Sequence, residues 1–150
     1  MAATADIQAE TLERFIEGWK AWTPESLTLT WSEDFQQRLL PYSLGVPPRS
    51  RAEAAWAVAR LVEVLSNYKF EVINVVHDVA KGKAVVYAKS FADTSFGDFK
   101  WANEYAFFVT FTEDGKHICA MDEMVDTEFF KEFFPKFQGY LSKQGDEGSH

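Results

Sequence analysis

The sequence contains a single cysteine, Cys119, which cannot form a disulfide within the chain, so a reducing compartment such as the cytoplasm is expected. It has no apolar run near the roughly 20 residues of a membrane-spanning helix, and its start does not resemble a signal peptide. Basic residues are also scarce, since 15 Lys and Arg stand against 23 Asp and Glu, for a formal net charge of −8. Such an acidic chain is a poor binder of nucleic acid or anionic membranes, so we expect neither as a partner.

Aromatic residues, by contrast, are abundant: 14 Phe, 5 Tyr and 5 Trp make up 16% of the 150 residues. The length suits one domain, and the apolar and charged fractions are ordinary for a globular protein. Because a core of this size needs less aromatic surface, part of it is expected to line a cavity. We predict a flexible N-terminus over residues 1–5, a single domain over 6–140 and a flexible polar tail over 141–150.

Helical spacing dominates the first part of the chain. Apolar residues recur at helical intervals over 6–22, and Thr23 followed by Pro24 is typical of the N-cap and first position of a second, short helix. The prolines and glycine of segment 40–48 predict a loop. Three N-terminal helices are expected in all.

Two further caps mark helix starts. Ser50 and Glu53 form a capping box that opens the third helix. Near the C-terminus, Asp126 is expected to cap a helix that is rich in phenylalanine, with Pro135 as its kink or end.

Between the third and last helices the period of the apolar residues changes from helical to alternating. The predicted strands cover residues 70–78, 84–92, 99–111 and 116–125. The order of elements predicts an α+β fold, in which a curved antiparallel sheet packs against three N-terminal helices and a C-terminal helix follows.

One hairpin sets the predicted register. The segment TEDGK at 112–116 is typical of a three-residue loop with a left-handed glycine, which places Tyr105 opposite Glu123 and Phe107 opposite Met121. One face of the sheet then carries Trp101, Asn103, Tyr105, Phe107, Met121 and Glu123. Large apolar surface with a few polar groups is typical of a small-molecule pocket. The structural alternative is that Glu123 faces solvent and Tyr105 is a core tyrosine with a satisfied hydroxyl.

The chain resembles the fungal SnoaL-like proteins of the nuclear-transport-factor-two-like superfamily, over roughly residues 6–140. The likeness lies in the helix-rich start and in the segments LPYSLGVPPRSR at 40–51, ADTSFG at 92–97, NEYAFF at 103–108 and EMVDT at 123–127. The fungal branch includes isomerases of meroterpenoid biosynthesis and a semipinacolase of indole-alkaloid biosynthesis. The resemblance implies a cone-shaped fold with a closed-ended pocket, a homodimer, and no metal or organic cofactor.

The resemblance also implies a set of site residues. It suggests an acid/base on the last strand, which maps onto Glu123, a tyrosine on the preceding strand, which maps onto Tyr105, and a basic group from the helical side, best matched by Arg38. Arg49 and Arg51 flank the capping serine and are expected to be solvated. Candidates for substrate binding are Trp101, Asn103, Phe107, Met121, Tyr87, Tyr42 and Trp56.

These residue types suit proton transfer at a carbonyl or hydroxyl-bearing carbon. Burial in an aromatic pocket raises the pKa of a carboxyl group, so Glu123 could take a proton and return it. Tyr105 could donate a hydrogen bond to a developing oxyanion, and Arg38 could hold an enolate or alkoxide. The hypothesis is a cofactor-independent isomerase or cyclase acting on a bulky apolar polycyclic intermediate of fungal natural-product biosynthesis.

Two alternatives stay open: a non-catalytic binding module for a hydrophobic metabolite, and a hydrolase or dehydratase on the same fold. Dehydratases that resemble this chain use a histidine–aspartate pair, but His77 and Asp78 are adjacent on a predicted strand and point to opposite faces. No histidine or cysteine cluster has the spacing of a zinc site. The opposite sheet face, with Phe108 and Met124, is apolar enough to predict a homodimer with that face covered.

Overall fold

A computed structural model describes residues 4–148 of the chain. The helices in this part are α1 (Ala5–Ala21), α2 (Pro24–Thr28), α3 (Arg51–Val64) and α4 (Thr127–Gly148). The strands are β1 (Trp31–Leu40), β2 (Arg49–Ser50), β3 (Leu65–Asp78), β4 (Lys83–Thr94), β5 (Lys100–Phe111) and β6 (Ile118–Met124).

The six strands form one mixed sheet in the order β2-β1-β6-β5-β4-β3. Neighbouring strands are antiparallel except for β1 and β6, which run parallel. The core lies between the inner face of this sheet and the helices, and Trp19 of α1 is at its centre, with its ring centroid 4.6 Å from that of Phe107 on β5. The predicted α+β fold is therefore confirmed.

The predicted caps agree with the structure. Thr23 and Ser50 form capping boxes at the starts of α2 and α3, and Pro24 is the first residue of α2. At the last helix, the carboxylate of Asp126 accepts a hydrogen bond from the backbone N–H of Phe129 at 3.2 Å. These caps satisfy backbone donors that have no partner within the helix.

The sequence does not predict strand β1, which the structure places between α2 and the proline-containing loop. Its buried residues Phe35, Gln37 and Leu39 alternate as a half-buried strand requires. The buried glutamine interrupts the apolar pattern, and the strand pairs with β6, which lies far along the chain. Local periodicity indicates neither the burial of Gln37 nor the pairing of β1 with β6.

The register of the β5–β6 hairpin differs from the prediction by two residues. The loop is one residue longer than predicted, because the backbone N–H of Thr112 bonds to the carbonyl of His117 at 2.9 Å. A bulge at the loop end of the ladder adds a second offset. Phe107, rather than Tyr105, therefore lies opposite Glu123. Since the two offsets sum to an even number, the side chains beyond the bulge, including Met121 and Glu123, keep their predicted face.

Helices extend into both ends of the chain as far as the structure describes them. Helix α4 passes through Pro135 and continues over residues 141–148, which were expected to form a polar tail. At the other end, Thr4 caps α1 through its side chain, so residues 4 and 5 belong to the helix start. Residues 1–3 and 149–150 of the predicted flexible ends lie outside the described residues. Within residues 4–148 no helix combines the length and apolar character needed to cross a membrane.

Candidate active site

A cavity of about 80 Å³ lies between the inner face of the sheet, helix α3 and helix α4. Its apolar wall includes five phenylalanines of α4, namely Phe129, Phe130, Phe133, Phe134 and Phe137. Its polar lining residues are Gln37, Arg49, Asn103, Tyr105 and Glu123. The expected combination of aromatic surface and a few polar groups is therefore present on the predicted face.

Glu123 is the buried carboxyl group of this cavity. Alternation along β6 turns its side chain inward, where only 9% of it is exposed. Loss of hydration raises the pKa of Glu123 to about 7, although the charge of Arg49 and a hydrogen bond from Gln37 act in the opposite direction. The structural alternative of a solvent-facing Glu123 is wrong.

Gln37 and Arg49 are site residues that the sequence analysis did not identify. Gln37 Nε2 donates to Glu123 Oε1, and Arg49 Nη1 donates to Gln37 Oε1, each at 3.5 Å. Antiparallel pairing of β1 with β2 sets Arg49 directly beside Gln37. Arg49 is half-buried, and desolvation lowers its pKa, so the expectation that it is solvated is wrong.

Arg38, the predicted basic group of the pocket, lies on the other face of the sheet. Since Gln37 and Leu39 point inward on β1, alternation turns Arg38 outward. There its Nε and Nη2 form a bidentate pair with the carboxylate of Asp122, at 3.0 and 2.7 Å. Arg38 therefore does not line the cavity, and the prediction that it is the basic group of the pocket is wrong. Arg49 is the arginine that lines the cavity.

The hydroxyl of Tyr105 is held in a buried polar cluster. It donates to Ser90 Oγ at 3.0 Å and lies 2.9 Å from the hydroxyl of Tyr68. Trp101 Nε1 also donates to Ser90 Oγ, at 2.8 Å. Burial raises the pKa of Tyr105 well above its ordinary value, so the phenol is neutral. In this arrangement its proton is engaged with Ser90.

The other predicted binding residues divide into three groups. Trp101 and Asn103 line the cavity, and Asn103 Oδ1 accepts a hydrogen bond from the backbone N–H of Asp126 at 3.3 Å. Phe107 and Met121 are fully buried in the core and do not form the cavity wall, since neighbouring side chains cover them.

Tyr87, Tyr42 and Trp56 lie outside the cavity. Tyr87 points to the outer face of the sheet because its neighbours on β4 point inward. Tyr42 is 70% exposed and lies beside Arg38, whose guanidinium is 5.6 Å from the ring centroid. Trp56 is on the solvent side of α3. The prediction that these three residues line the pocket is wrong.

The His77 side chain has a structural partner, since its Nε2 lies 2.9 Å from Oε1 of the buried Gln8. The bond holds the His77 side chain outside the cavity, so the histidine of the His77–Asp78 pair does not line it. Among the described residues, no three His, Cys, Asp or Glu side chains are grouped closely enough to hold a metal ion.

Several fungal proteins are similar to this chain over nearly their whole length. Monooxygenase dmxR10 of Cryptosporiopsis sp. is 55% identical and covers 100% of both chains. Monooxygenase nsrS of Aspergillus novofumigatus is 49% identical over 97% of both chains. A Claviceps purpurea protein named as an ergochrome gene cluster protein is 41% identical over 93% of this chain and 90% of its own. No protein-family model matches the chain.

Solved structures share the fold at lower sequence identity. BvnE pinacolase from Penicillium brevicompactum has a TM-score of 0.80 and 21% identity, covering 91% of this chain and 93% of its own. A putative SnoaL-like polyketide cyclase from Shewanella denitrificans has a TM-score of 0.67 and 9% identity, covering 87% and 98%. The predicted resemblance to SnoaL-like proteins is thereby confirmed at the level of the fold.

Proposed function

The chain belongs to the family of fungal proteins that includes Monooxygenase dmxR10 and Monooxygenase nsrS, and from this membership and the cavity we propose that it is an acid–base isomerase or cyclase. Its substrate in this proposal is a bulky, mostly apolar polycyclic intermediate of fungal natural-product biosynthesis. The observation that carries the proposal is the burial of Glu123 in an aromatic cavity, which brings the pKa of its carboxyl group to about 7. The pinacolase name of a structural neighbour and the gene-cluster name of a relative support it.

The proposed chemistry is a proton transfer by Glu123. With a pKa of about 7, the group is divided between acid and carboxylate at neutral pH, so it can accept a proton and give it back without a large cost in either direction. The carboxylate removes a proton from a carbon next to a carbonyl, and the acid returns it at another position of the same skeleton. The product is then an isomer of the substrate.

Arg49 is proposed to stabilise the negative oxygen that forms during this transfer. It is the cationic residue of the cavity lining, and Gln37 links it to Glu123. A guanidinium stays charged at any working pH, and the apolar walls strengthen its field on an enolate or alkoxide. It takes the role that the sequence analysis gave to Arg38.

Tyr105 keeps its predicted role as a hydrogen-bond donor in the proposal. Because its proton is donated to Ser90, a contact with a substrate oxygen requires Tyr105 to exchange one acceptor for another. The hydroxyl of Tyr105 is therefore expected to contribute less to the reaction rate than Glu123 does. The variant Tyr105→Phe tests this contribution.

The size of the cavity makes helix α4 part of the binding process. A volume of about 80 Å³ is well below the ~300–1,000 Å³ of typical ligand pockets. A polycyclic substrate therefore enters only when phenylalanine side chains of α4 move aside. Phe130 and Phe134 are half-buried, so they have more room to move than the buried Phe133 and Phe137.

We also propose that the protein is a homodimer. Phe108 and Met124 are 44% and 39% exposed on the outer face of the sheet. The salt bridge between Arg38 and Asp122 lies on the same face. An apolar face that also carries both signs of charge can pair with its own copy across a two-fold axis.

A second candidate function is an oxidation, favoured by the monooxygenase names of the relatives. Glu123 would form the same carbanion at a CH₂ group, and dioxygen would serve as co-substrate. The carbon becomes a carbonyl with one oxygen atom, and the other oxygen leaves as water with the two hydrogens. Both functions thus begin with the same proton removal.

The mass of the product separates the two functions. The substrate is expected to accumulate in the producing organism when the gene is deleted. The accumulated compound is then incubated with the purified protein. An isomerase or cyclase gives a product of unchanged mass without consuming oxygen. A product in which two hydrogens are replaced by one oxygen atom, formed with uptake of dioxygen, contradicts the isomerase proposal. Loss or gain of water indicates a dehydratase or hydrolase instead.

A further inference from the structure

Asn103 offers the cavity one end of a buried side-chain amide. The residue lines the cavity and is 6% exposed. Its Oδ1 accepts the backbone N–H of Asp126 at 3.3 Å, and because that partner is a donor, the bond fixes which end of the amide is the oxygen. The Nδ2 donates to no group among the described residues, yet it keeps accessible surface, unlike the unpartnered indole nitrogens. The open side of this enclosed residue is the cavity, so the Nδ2 donor is available to a ligand there.

The other buried side-chain amides of the described residues are bonded at both ends. Gln8 bonds through its oxygen and its nitrogen, and so does Gln37. An amide group that is buried without a partner costs about 1–3 kcal/mol. Since the chain satisfies its other buried amides completely, the free nitrogen of Asn103 indicates an acceptor that comes from the cavity.

Asn103 lies at some distance from the acid–base group. Phe107 is directly opposite Glu123 in the β5–β6 ladder, and Asn103 is four residues from Phe107 on the same face of β5. Four residues of a strand span about 13 Å. A ligand that contacts both Glu123 and Asn103 is therefore longer than a single ring, and the two contacts lie at opposite ends of it.

We propose that Asn103 Nδ2 donates a hydrogen bond to a second oxygen of the substrate, remote from the carbon that Glu123 deprotonates, so that the cavity selects polycyclic ketones that carry oxygen at both ends. An amide nitrogen donates and does not accept, so its partner is an oxygen with a free lone pair. The bond at the remote end determines which carbon of the skeleton lies beside Glu123. The inference rests on the proposed function for the place of the reacting carbon.

The test uses two bicyclic ketones that differ only at the remote end, 6-acetyl-2-tetralone and 6-isopropyl-2-tetralone. Their dissociation constants are measured by titration, and the preference is the ratio of the two. Since one neutral hydrogen bond is lost in Asn103→Leu, the preference for the acetyl ketone should be about three- to tenfold smaller there than in the wild type. Asn103→Asp keeps an oxygen for the bond to Asp126 but loses the donor, so its preference should fall as well. Gln8→Leu removes a buried amide outside the cavity and should keep the wild-type preference.

A second readout needs no variant. In ¹⁵N-labelled wild type, the side-chain NH₂ resonances of Asn103 should move further with the acetyl ketone than with the isopropyl ketone. The proposal is overturned if neither ketone binds, if the preference is the same in Asn103→Leu and wild type, or if the two ketones move these resonances equally. In the last two cases water, and not the ligand, satisfies the amide. Failure of the proposed function shows itself separately, as absent proton transfer, because this titration needs no turnover and can be repeated in Glu123→Gln.

Discussion

Arg49 and Glu123 bring opposite charges into one cavity, and the side chain of Gln37 joins them through two hydrogen bonds of 3.5 Å. The three residues come from β2, β6 and β1, which are adjacent in the sheet. Arg49 lowers the pKa of Glu123, while desolvation, the larger effect, raises it. The balance leaves Glu123 with a pKa of about 7, which suits a group that must both take and return a proton.

Removal of the arginine should therefore move the titration of Glu123. In Arg49→Gln the positive charge is lost and the desolvation remains, so the pKa of Glu123 should rise above about 7. The pKa is measured by NMR titration of ¹³C-labelled glutamate side chains. Arg38→Gln is the matched control, because that arginine pairs with Asp122 on the outer face. An equal pKa in wild type and Arg49→Gln would show that the two charges do not interact.

Burial of Glu123 also predicts how stability depends on pH. Its pKa in the folded protein, about 7, is higher than its ordinary value of 4.5, so between these values the folded state binds a proton that the unfolded state has released. Stability from this group is complete below about pH 4.5 and is lost as the pH rises through 7. The contribution of Glu123 to the free energy of unfolding should fall by an amount on the order of 3 kcal/mol over this range.

Urea denaturation at a series of pH values measures this slope. Glu123→Gln should lack the contribution, since glutamine does not titrate. Asp122→Asn should retain it, because Asp122 is the next residue on β6 and points to the other face. A wild-type slope that persists unchanged in Glu123→Gln assigns the pH dependence to another group.

A smaller side chain on helix α4 should ease the entry of a ligand. Phe134→Ala removes a half-buried lining residue, at a cost of up to about 3 kcal/mol in stability. Stopped-flow measurement of the protein's tryptophan fluorescence follows the binding of 9-fluorenone, a tricyclic aromatic ketone. The ketone should associate several-fold faster with Phe134→Ala than with the wild type. Phe91→Ala, on the outer face, should leave the rate unchanged. Equal association rates in wild type and Phe134→Ala argue that the ligand enters by another route.

How far the sequence predicts the site can be seen on strand β5. The alternation of Trp101, Asn103 and Tyr105 is local and strong, so their common face is predicted correctly although the pairing is shifted by two residues. Period-two patterning fixes the face of a strand, whereas loop length and bulges fix its register. An error in loop length or at a bulge therefore makes the predicted pairing wrong, while the predicted face of these residues stays correct.

Arg49 and Gln37 show what the sequence could not predict. Arg49 lies on a two-residue strand that has no periodicity of its own, and its inward position depends on pairing with β1. Strand β1 is equally hard to predict, because the polar Gln37 stands between Phe35 and Leu39 and interrupts the apolar alternation that would have turned Arg38 outward. The contribution of helix α4 to the cavity depends on the long-range packing of that helix, which no local pattern specifies.

The outer face of the sheet gives a prediction about assembly. A charge at its centre should prevent pairing of two copies, so Phe108→Glu should be monomeric where the wild type is dimeric at micromolar concentration. Analytical ultracentrifugation distinguishes the two states. Trp56→Glu changes another exposed aromatic residue, on helix α3, and should remain dimeric. A wild type that is monomeric at this concentration would show that the proposed dimer is wrong.

The central claim is that Glu123 transfers protons in the cavity, and hydrogen–deuterium exchange tests it most directly. 2-Tetralone, a small bicyclic ketone, is incubated with the protein in D₂O, and deuterium at the carbons next to its carbonyl is followed by mass spectrometry. We predict catalysed exchange by the wild type and by Asp122→Asn, and a loss of about 10²-fold or more in Glu123→Gln. Exchange that is equally fast in Glu123→Gln and wild type, or that never exceeds the rate in buffer, would contradict the account.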